Sequence, residues 1–192
     1  TQREALLRVP ANDLNQLLLP TFDPEAERDV LTIGLPASPG ASFGALAFTA
    51  DEAVERSENG ESVLLIRKET SPEDVSGMHA AAGILTSTGG MTSHAAVVAR
   101  GWGKCCVAGA GEISIDEENK SISIDGRTFG SHDIISIDGS SGEIMAGKVA
   151  TRDPELSEEF NAIMEWADLN RRLKVRTNAD TPQDAVRARE YG

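Results

Sequence analysis

The sequence predicts an α/β domain over residues 31–150, flanked by shorter segments, and three observations carry that prediction. Short apolar runs alternate with helical segments between residues 31 and 108. From 112 to 147, isoleucine alternates with polar residues between the turn signals "DEEN", "DG" and "DGSSG", which predicts antiparallel strands joined by hairpins. Polar connectors that contain proline lie on both sides, at 20–30 and 148–158.

In the first half of this domain, an apolar run leads into a Pro/Gly-rich stretch at 36–44, which predicts a loop. The next segments predict a strand at "ALAFT", an acidic helix at "ADEAVERSE" and a second strand at "ESVLLIR". A helix start follows in "ETSPEDVSGMHAAAG", where Ser71 can act as the cap and Pro72 suits the first helical position. We then expect a strand at "GILTST", a short helix at "SHAAVVARG" that ends at Gly101, and a strand at "KCCVAG".

The flanking segments predict parts of neighbouring domains. Leucines at helical spacing occur in "TQREALLRV" and "NDLNQLLLP", and "FNAIMEWADLNRRL" predicts an amphipathic helix. One strand at "KVRTNAD" and one helix at "TPQDAVRAREYG" cannot bury their apolar faces alone, so they indicate the first unit of a larger domain. We therefore divide the chain into segments 1–30, 31–150 and 151–192.

Composition excludes several classes of protein. Acidic residues number 31 against 18 basic ones, a net charge of −13 that argues against nucleic-acid or anionic-membrane partners. No apolar run approaches the roughly 20 residues that span a bilayer, and the first residues do not resemble a signal peptide. The neighbouring Cys105 and Cys106 are too close for a disulfide and too few for zinc, so we expect them in a buried strand of an intracellular protein.

The stretch "GGMTSHAAVVARG" places His94 at a glycine–helix junction. Gly89 and Gly90 let the backbone turn sharply and leave room for a ligand, and Thr92 or Ser93 can cap the helix. Unpaired N–H groups and the dipole make such a helix start an anion site. Imidazole is a competent nucleophile at neutral pH. The stretch therefore predicts a histidine that carries or contacts a phosphoryl group.

The spacing alone leaves a second interpretation open, a capped helix with a surface histidine. We interpret His79 as structural or exposed and His132 as a turn residue. The sequence shows neither a Ser-His-Asp order, nor a P-loop, nor a dinucleotide fingerprint, and it contains no cluster of metal ligands.

The segment "GILTSTGGMTSHAAVVARGWGKCCVAG" resembles the phosphohistidine segment of the pyruvate, phosphate dikinases. Other segments resemble the same family, among them "GLPASPGASFGALAFTADEA", "ETSPEDVSGMHAAAGILT", "MEWADLNRRLKVRTNADTPQDAVRAREYG" and "LLRVPANDLNQLLLPTFDP". The resemblance implies a swivelling β/β/α phosphohistidine domain at 31–150. It also implies the tail of a nucleotide-binding part before that domain, and a linker helix and the start of a TIM-type barrel after it.

The resemblance also implies a function. Family members convert ATP, phosphate and pyruvate into AMP, diphosphate and phosphoenolpyruvate, with the phosphoryl group carried here on Nε2 of His94. Thr70, Gly90, Thr92 and Ser93 would support the phosphoryl group. Thr70 and Ser71 could donate to a phosphate from a second helix start, but a plain helix cap is the favoured alternative for both. The partners implied are the chain's own nucleotide-binding domain and pyruvate-binding barrel. Magnesium would be bound outside this chain, a homodimer would form through the barrel, and the compartment would be the cytoplasm or the plastid stroma.

Two positions raise separate expectations. In plant members the threonine two residues before the histidine is a target of inhibitory phosphorylation, here Thr92, whose alternative role is a cap that steadies the phosphoryl group. Where the family has a basic residue before the Gly-Gly pair, this chain has Thr88, and Arg67 or Arg100 could replace it. The carrier domain of phosphoenolpyruvate synthase or of the first phosphotransferase-system enzyme remains an alternative, as does a noncatalytic interaction module.

Overall fold

The computed structural model describes residues 1–10, 14, 17–154, 157–174 and 185–186. The chain forms two compact units, Asn15–Glu155 and a smaller one that combines Thr1–Leu14 with Leu156–Gly192. The larger unit contains the whole segment for which we predict an α/β domain. The helix expected at "NDLNQLLLP" lies partly outside the described residues, and the strand and helix expected after residue 173 lie largely outside them.

The bounds of the elements follow the predicted alternation. The helices are α1 (Gln2–Arg8), α2 (Ala50–Glu58), α3 (Val75–Ala80, preceded by a 3₁₀ turn at Pro72–Asp74), α4 (His94–Trp102) and α5 (Glu158–Asn170). The strands of the first half are β1 (Thr21–Phe22), β2 (Val30–Ile33), β3 (Leu35–Ser38), β4 (Ala41–Ala47), β5 (Val63–Arg67), β6 (Gly83–Thr86) and β7 (Cys105–Ala108). Those of the second half are β8 (Ser114–Asp116), β9 (Ser121–Ile124), β10 (Arg127–Gly130), β11 (Ile134–Asp138), β12 (Glu143–Ala146) and β13 (Thr151–Arg152).

The main sheet has eight strands in the order β2-β12-β11-β4-β5-β6-β7-β3. Its middle strands β4, β5, β6 and β7 are parallel and occur in chain order, with helical connections between them. The strands on either side pair antiparallel. Parallel neighbours end at the same edge of a sheet, so the segments that follow β5 and β6 emerge side by side.

The two edge strands of this sheet are consecutive in the chain and are joined by one residue, Gly34. The sheet therefore curls until its edges meet. A Cβ atom at Gly34 would lie 2.6 Å from Cγ1 of Val107, and one at Gly142 would lie 2.2 Å from the Gly34 carbonyl oxygen. A side chain at Gly34 would displace the Val107 side chain, and one at Gly142 would collide with the backbone of Gly34, so glycine suits both positions.

Period-two alternation along the parallel strands divides the core between the two faces of the sheet. Leu64 and Ile66 point to one face, and Leu65 points to the other. The first face packs against the three-stranded sheet β10-β9-β8 through Ile122, Ile124 and Phe129. The second face packs against small residues and Met78 of the helices. The layers are thus sheet, sheet and helices, which confirms the expected β/β/α architecture.

Both connectors enter the larger unit at one place. β1 and β13 pair antiparallel, with Thr21 opposite Arg152 and Phe22 opposite Thr151. Phe22 is buried against Met145 and Val149 in a small separate cluster. The compact unit therefore extends beyond 31–150 at both ends, because the chain that enters and the chain that leaves are held together by strand pairing.

Two local predictions are wrong. The Pro/Gly-rich stretch at 36–44 is not a loop, because β3 and β4 run through it and only Pro39 and Gly40 form the turn. Pro36 is tolerated because β3 is an edge strand. Helix α4 does not end at Gly101 but at Trp102, and Gly103 follows it in the left-handed conformation with φ +65°.

The smaller unit contains α1 and the amphipathic helix α5, which pack against each other. Thr1 and Glu4 form a reciprocal capping box at the start of α1, and Ser157 caps α5. Phe160 is the buried residue of α5. Within the part of the chain that is described, no helix has both the length and the apolar character to cross a membrane.

Candidate phosphohistidine site

The site lies where two neighbouring parallel strands end. β5 ends at Arg67 and β6 ends at Thr86, and these two residues are register partners. The loops that follow, 68–71 and 87–93, therefore leave the sheet side by side. Crevices at the carboxyl ends of parallel strands are the usual ligand sites of such sheets.

His94 is the first residue of helix α4 and is half-buried. Ser93 is the N-cap: its side chain accepts a hydrogen bond from the Ala96 N–H at 3.4 Å and its carbonyl accepts one from Val97 at 3.0 Å. The N–H groups of His94 and Ala95 have no partner inside the helix, because the first turn lacks preceding carbonyls. With the helix dipole, these two groups provide positive potential beside the imidazole ring.

The imidazole ring contacts Thr70, which lies on the loop after β5. Thr70 Oγ1 and His94 Nδ1 are 3.2 Å apart, and Thr70 is only 5% exposed. The hydroxyl can donate to or accept from Nδ1, depending on the tautomer of the ring. If Nδ1 carries the hydrogen and donates it to Thr70, the lone pair of the imidazole is on Nε2. We find no hydrogen bond to Nε2 from the described residues.

The loop before His94 is held close to the loop after β7. Gly89 has φ +99° and Gly109 has φ +61°. A Cβ atom at Gly109 would lie 2.5 Å from the Gly89 carbonyl oxygen, so a side chain there would push the histidine loop away. Gly90 has open space where a Cβ atom would be, which leaves room for a ligand.

Thr88, which stands where a basic residue was expected, joins the two site loops. Its N–H and its hydroxyl both donate to the Lys68 carbonyl, at 2.9 and 2.7 Å. The Thr86 hydroxyl in turn donates to the Thr88 carbonyl at 2.8 Å. These bonds fix the histidine loop to the loop that carries Thr70, and sequence inspection does not reveal them.

The two arginines considered as replacements are engaged elsewhere. Arg100 donates to the carbonyls of Ala37 and Met91, so it holds the backbone of the histidine loop. Arg67 pairs with Asp74 and Glu117 and donates to the Phe48 carbonyl at 3.0 Å.

The remaining candidate residues lie apart from the His94 ring contact. Ser93, and not Thr92, is the cap; Thr92 is exposed at the surface of the histidine loop. Ser71 caps the 3₁₀ turn after Thr70. His79 is exposed at the end of α3 and stacks edge-on against Trp102 with ring centres 5.3 Å apart. His132 lies in the turn before β11 and is exposed.

The cysteines fill β7 as expected. Cys105 faces one core and Cys106 faces the other, and both are free thiols. Burial raises the pKa of the Cys106 thiol to about 12 and raises the pKa of Cys105 as well. Thiols of this kind do not act as nucleophiles at neutral pH.

Comparison with known proteins identifies the domain that carries this site. Residues 59–142 match the family described as "PEP-utilising enzyme, mobile domain". Residues 59–142 are thus similar to the mobile domain of the PEP-utilising enzymes. The chain is also 54% identical over 192 residues to pyruvate, phosphate dikinase of Rhizobium meliloti and 56% identical over 194 residues to that of Clostridium symbiosum. It is 54% identical over 190 residues to the chloroplastic pyruvate, phosphate dikinase 1 of Arabidopsis thaliana.

The alignments cover 98–100% of this chain and about a fifth of each relative, namely 21%, 22% and 20%. The match to the mobile domain runs from the end of α2 to the start of β12 and includes both site loops. The relatives confirm the resemblance to the pyruvate, phosphate dikinases.

Proposed function

We propose that His94 carries a phosphoryl group on Nε2, and that this mobile domain transfers it between two remote sites of a pyruvate, phosphate dikinase. The observation that supports the proposal best is the contact between Thr70 Oγ1 and His94 Nδ1 at 3.2 Å, at the start of helix α4. One ring nitrogen is engaged by the protein, and the other is left for a phosphorus atom.

The chemical step follows from this geometry. The Nε2 lone pair attacks the phosphorus of a donor, an N–P bond forms, and the P–O bond to the leaving group breaks with its electrons on oxygen. The Nδ1 proton stays on the ring and on its hydrogen bond to Thr70, which offsets the positive charge that develops there. A bound phosphoryl group brings about two negative charges. The N–H groups of His94 and Ala95 and the dipole of α4 stabilise that charge.

The whole reaction is proposed from the relatives. It converts ATP, phosphate and pyruvate into AMP, diphosphate and phosphoenolpyruvate, with the nucleotide site and the pyruvate-binding barrel as the partners of this domain. Within the described residues, no group of three His, Cys, Asp or Glu side chains is placed to hold a metal ion. The family resemblance implies that magnesium would be held by the partner domains. A homodimer formed through the barrel and an intracellular location are part of the same proposal.

Thr92 adds a regulatory part to the proposal. It is exposed two residues before His94, so a kinase can reach its hydroxyl. A phosphate on Thr92 would place like charge beside the phosphoryl site and slow transfer. Thr92→Glu should therefore lower the rate of phosphorylation of His94 more than Thr92→Val does.

The test is to incubate the complete protein with ³²P-phosphoenolpyruvate and to map the acid-labile label. We expect label on His94, with ³¹P NMR showing the Nε2 isomer, and no label in His94→Asn. His79→Asn and His132→Asn are matched controls, because both histidines are exposed and lie outside the site. Label that persists in His94→Asn would refute the proposal, as would a wild-type protein that takes up none.

A second assay separates the dikinase from related PEP-utilising enzymes. Formation of phosphoenolpyruvate from ATP and pyruvate should require inorganic phosphate and release diphosphate. If turnover proceeds without added phosphate and releases no diphosphate, the dikinase reaction is excluded, while the role of His94 as a phosphoryl carrier still stands.

A further inference from the structure

Thr70 lies on a loop whose two ends are held by one ion pair. Arg67 is the last residue of β5, and Asp74 ends the 3₁₀ turn that follows the loop. Arg67 Nε and Asp74 Oδ1 are 3.3 Å apart. The Nε–H group makes no hydrogen bond among the described residues, so this contact is a pairing of charges.

Asp74 is a buried carboxylate, 5% exposed. Its Oδ2 atom accepts hydrogen bonds from the N–H of Ser71 at 2.8 Å and from the Ser71 hydroxyl at 3.2 Å. One oxygen therefore faces the end of β5, and the other fixes the residue directly after Thr70. A buried carboxylate with these partners is strongly anchored, because removal of either partner leaves charge without compensation.

The other contacts of Arg67 anchor the same loop to the body of the domain. Its guanidinium donates to the Phe48 carbonyl at 3.0 Å and pairs with Glu117, on the turn between β8 and β9, at 3.2 Å. Both ends of the loop with Thr70 are thus attached, through Arg67 and Asp74, to Phe48 and Glu117, which lie outside the two site loops.

We propose that Asp74 is a positioning residue for the His94 ring. Through Arg67 and Ser71, it holds the Thr70 hydroxyl against Nδ1. This contact keeps the ring in its Nδ1–H tautomer. This inference rests on the proposed function, because only the Nδ1–H tautomer leaves the Nε2 lone pair free. A threonine hydroxyl can accept or donate, so its orientation decides which nitrogen holds the hydrogen. A loop that relaxes lets the hydroxyl rotate and the tautomers mix.

The first measurement needs no phosphoryl donor. In the complete protein labelled with ¹⁵N-histidine, the ring nitrogen shifts at a pH where His94 is neutral should show hydrogen on Nδ1. Asp74→Asn should give a mixture of tautomers. Asp133→Asn is the matched control, because Asp133 also accepts a backbone N–H in a turn, from Gly130 at 2.7 Å. A wild-type ring protonated on Nε2, or an unchanged tautomer in Asp74→Asn, would overturn the inference.

The second measurement asks whether Asp74 acts through Thr70. Asp74→Asn should slow phosphorylation of His94 about 2- to 10-fold, with little change in the KM for the donor. In a Thr70→Val background the same substitution should have almost no further effect, since residues that act in one chain are not additive. Equal losses in both backgrounds would contradict a positioning role. Should Asp74→Asn fail to fold, Arg67→Gln replaces it, with the same tautomer mixture expected.

The two proposals fail in different ways. If wild-type His94 takes no label from phosphoenolpyruvate, the carrier function is wrong, whatever the tautomer. If His94 is labelled but its tautomer does not respond to Asp74→Asn or Arg67→Gln, the carrier function stands and the positioning role is wrong.

Discussion

Replacing Thr70 by valine isolates one atom of the site. Valine has nearly the shape of threonine, so the substitution removes the Oγ1 contact to His94 Nδ1 at 3.2 Å and keeps the bulk of a side chain that is 5% exposed. A net hydrogen bond is worth about 0.5–1.5 kcal/mol. If that bond acts mainly in the transition state, its loss slows phosphorylation of His94 by about 2- to 13-fold.

The assay is rapid-quench transfer of label from ³²P-phosphoenolpyruvate to the complete protein in a single turnover, with thermal unfolding measured in parallel. The free energy of unfolding should change by less than about 1 kcal/mol, because a methyl group in the buried site compensates for the lost bond. Thr128→Val is the control: its hydroxyl shares a bond of similar length, 3.3 Å, with Ser123 on the three-stranded sheet. An unchanged rate in Thr70→Val, or an equal loss in Thr128→Val, would refute the reasoning.

Three further outcomes are expected. Because burial raises the pKa of Cys106 from 9.0 to about 12, this thiol contributes no pH dependence to the free energy of unfolding below about pH 9. Between pH 9 and 12 it lowers that free energy by about 1.4 kcal/mol per pH unit, and denaturant titrations should show the slope reduced by this amount in Cys106→Ala. Gly109→Ala should lower the free energy of unfolding by about 1–3 kcal/mol and slow labelling of His94, because φ is +61° and the new Cβ meets the Gly89 oxygen at 2.5 Å; a wild-type melting temperature would contradict this. Arg100→Met should lower the free energy of unfolding by about 1–2 kcal/mol, because it removes two hydrogen bonds to backbone carbonyls, and it should slow labelling of His94. Unaltered labelling would show that the guanidinium does not hold the histidine loop.

Local patterns predicted most of the elements because each depends on nearby residues. The acidic helix matches α2 at both ends, and the alternating segment 112–147 forms β8 to β12 as expected. The prediction of a loop at 36–44 is wrong because the prolines and glycines of this stretch lie in an edge strand or in close contact with other strands. Those contacts depend on strands that are distant in sequence.

The candidate site also combines features that local sequence predicts with contacts that depend on distant strands. His94 at a helix start could be predicted, because the glycines, the cap and the ring lie within six residues. The contact of the ring with Thr70 joins residues 24 positions apart, and only the pairing of β5 with β6 brings them together. The bonds from Thr88 to the Lys68 carbonyl depend on the same pairing, so the sequence alone gave no reason for a threonine at that position.

Because β1 and β13 form a two-stranded ribbon, the chain enters and leaves the domain at the same place. Because Thr21 and Arg152 are paired across two antiparallel strands, the incoming and outgoing chains cross the boundary roughly 5 Å apart. A host protein needs only a single narrow opening in one surface loop to accept such an insert, which is the geometry that domain insertion tolerates best.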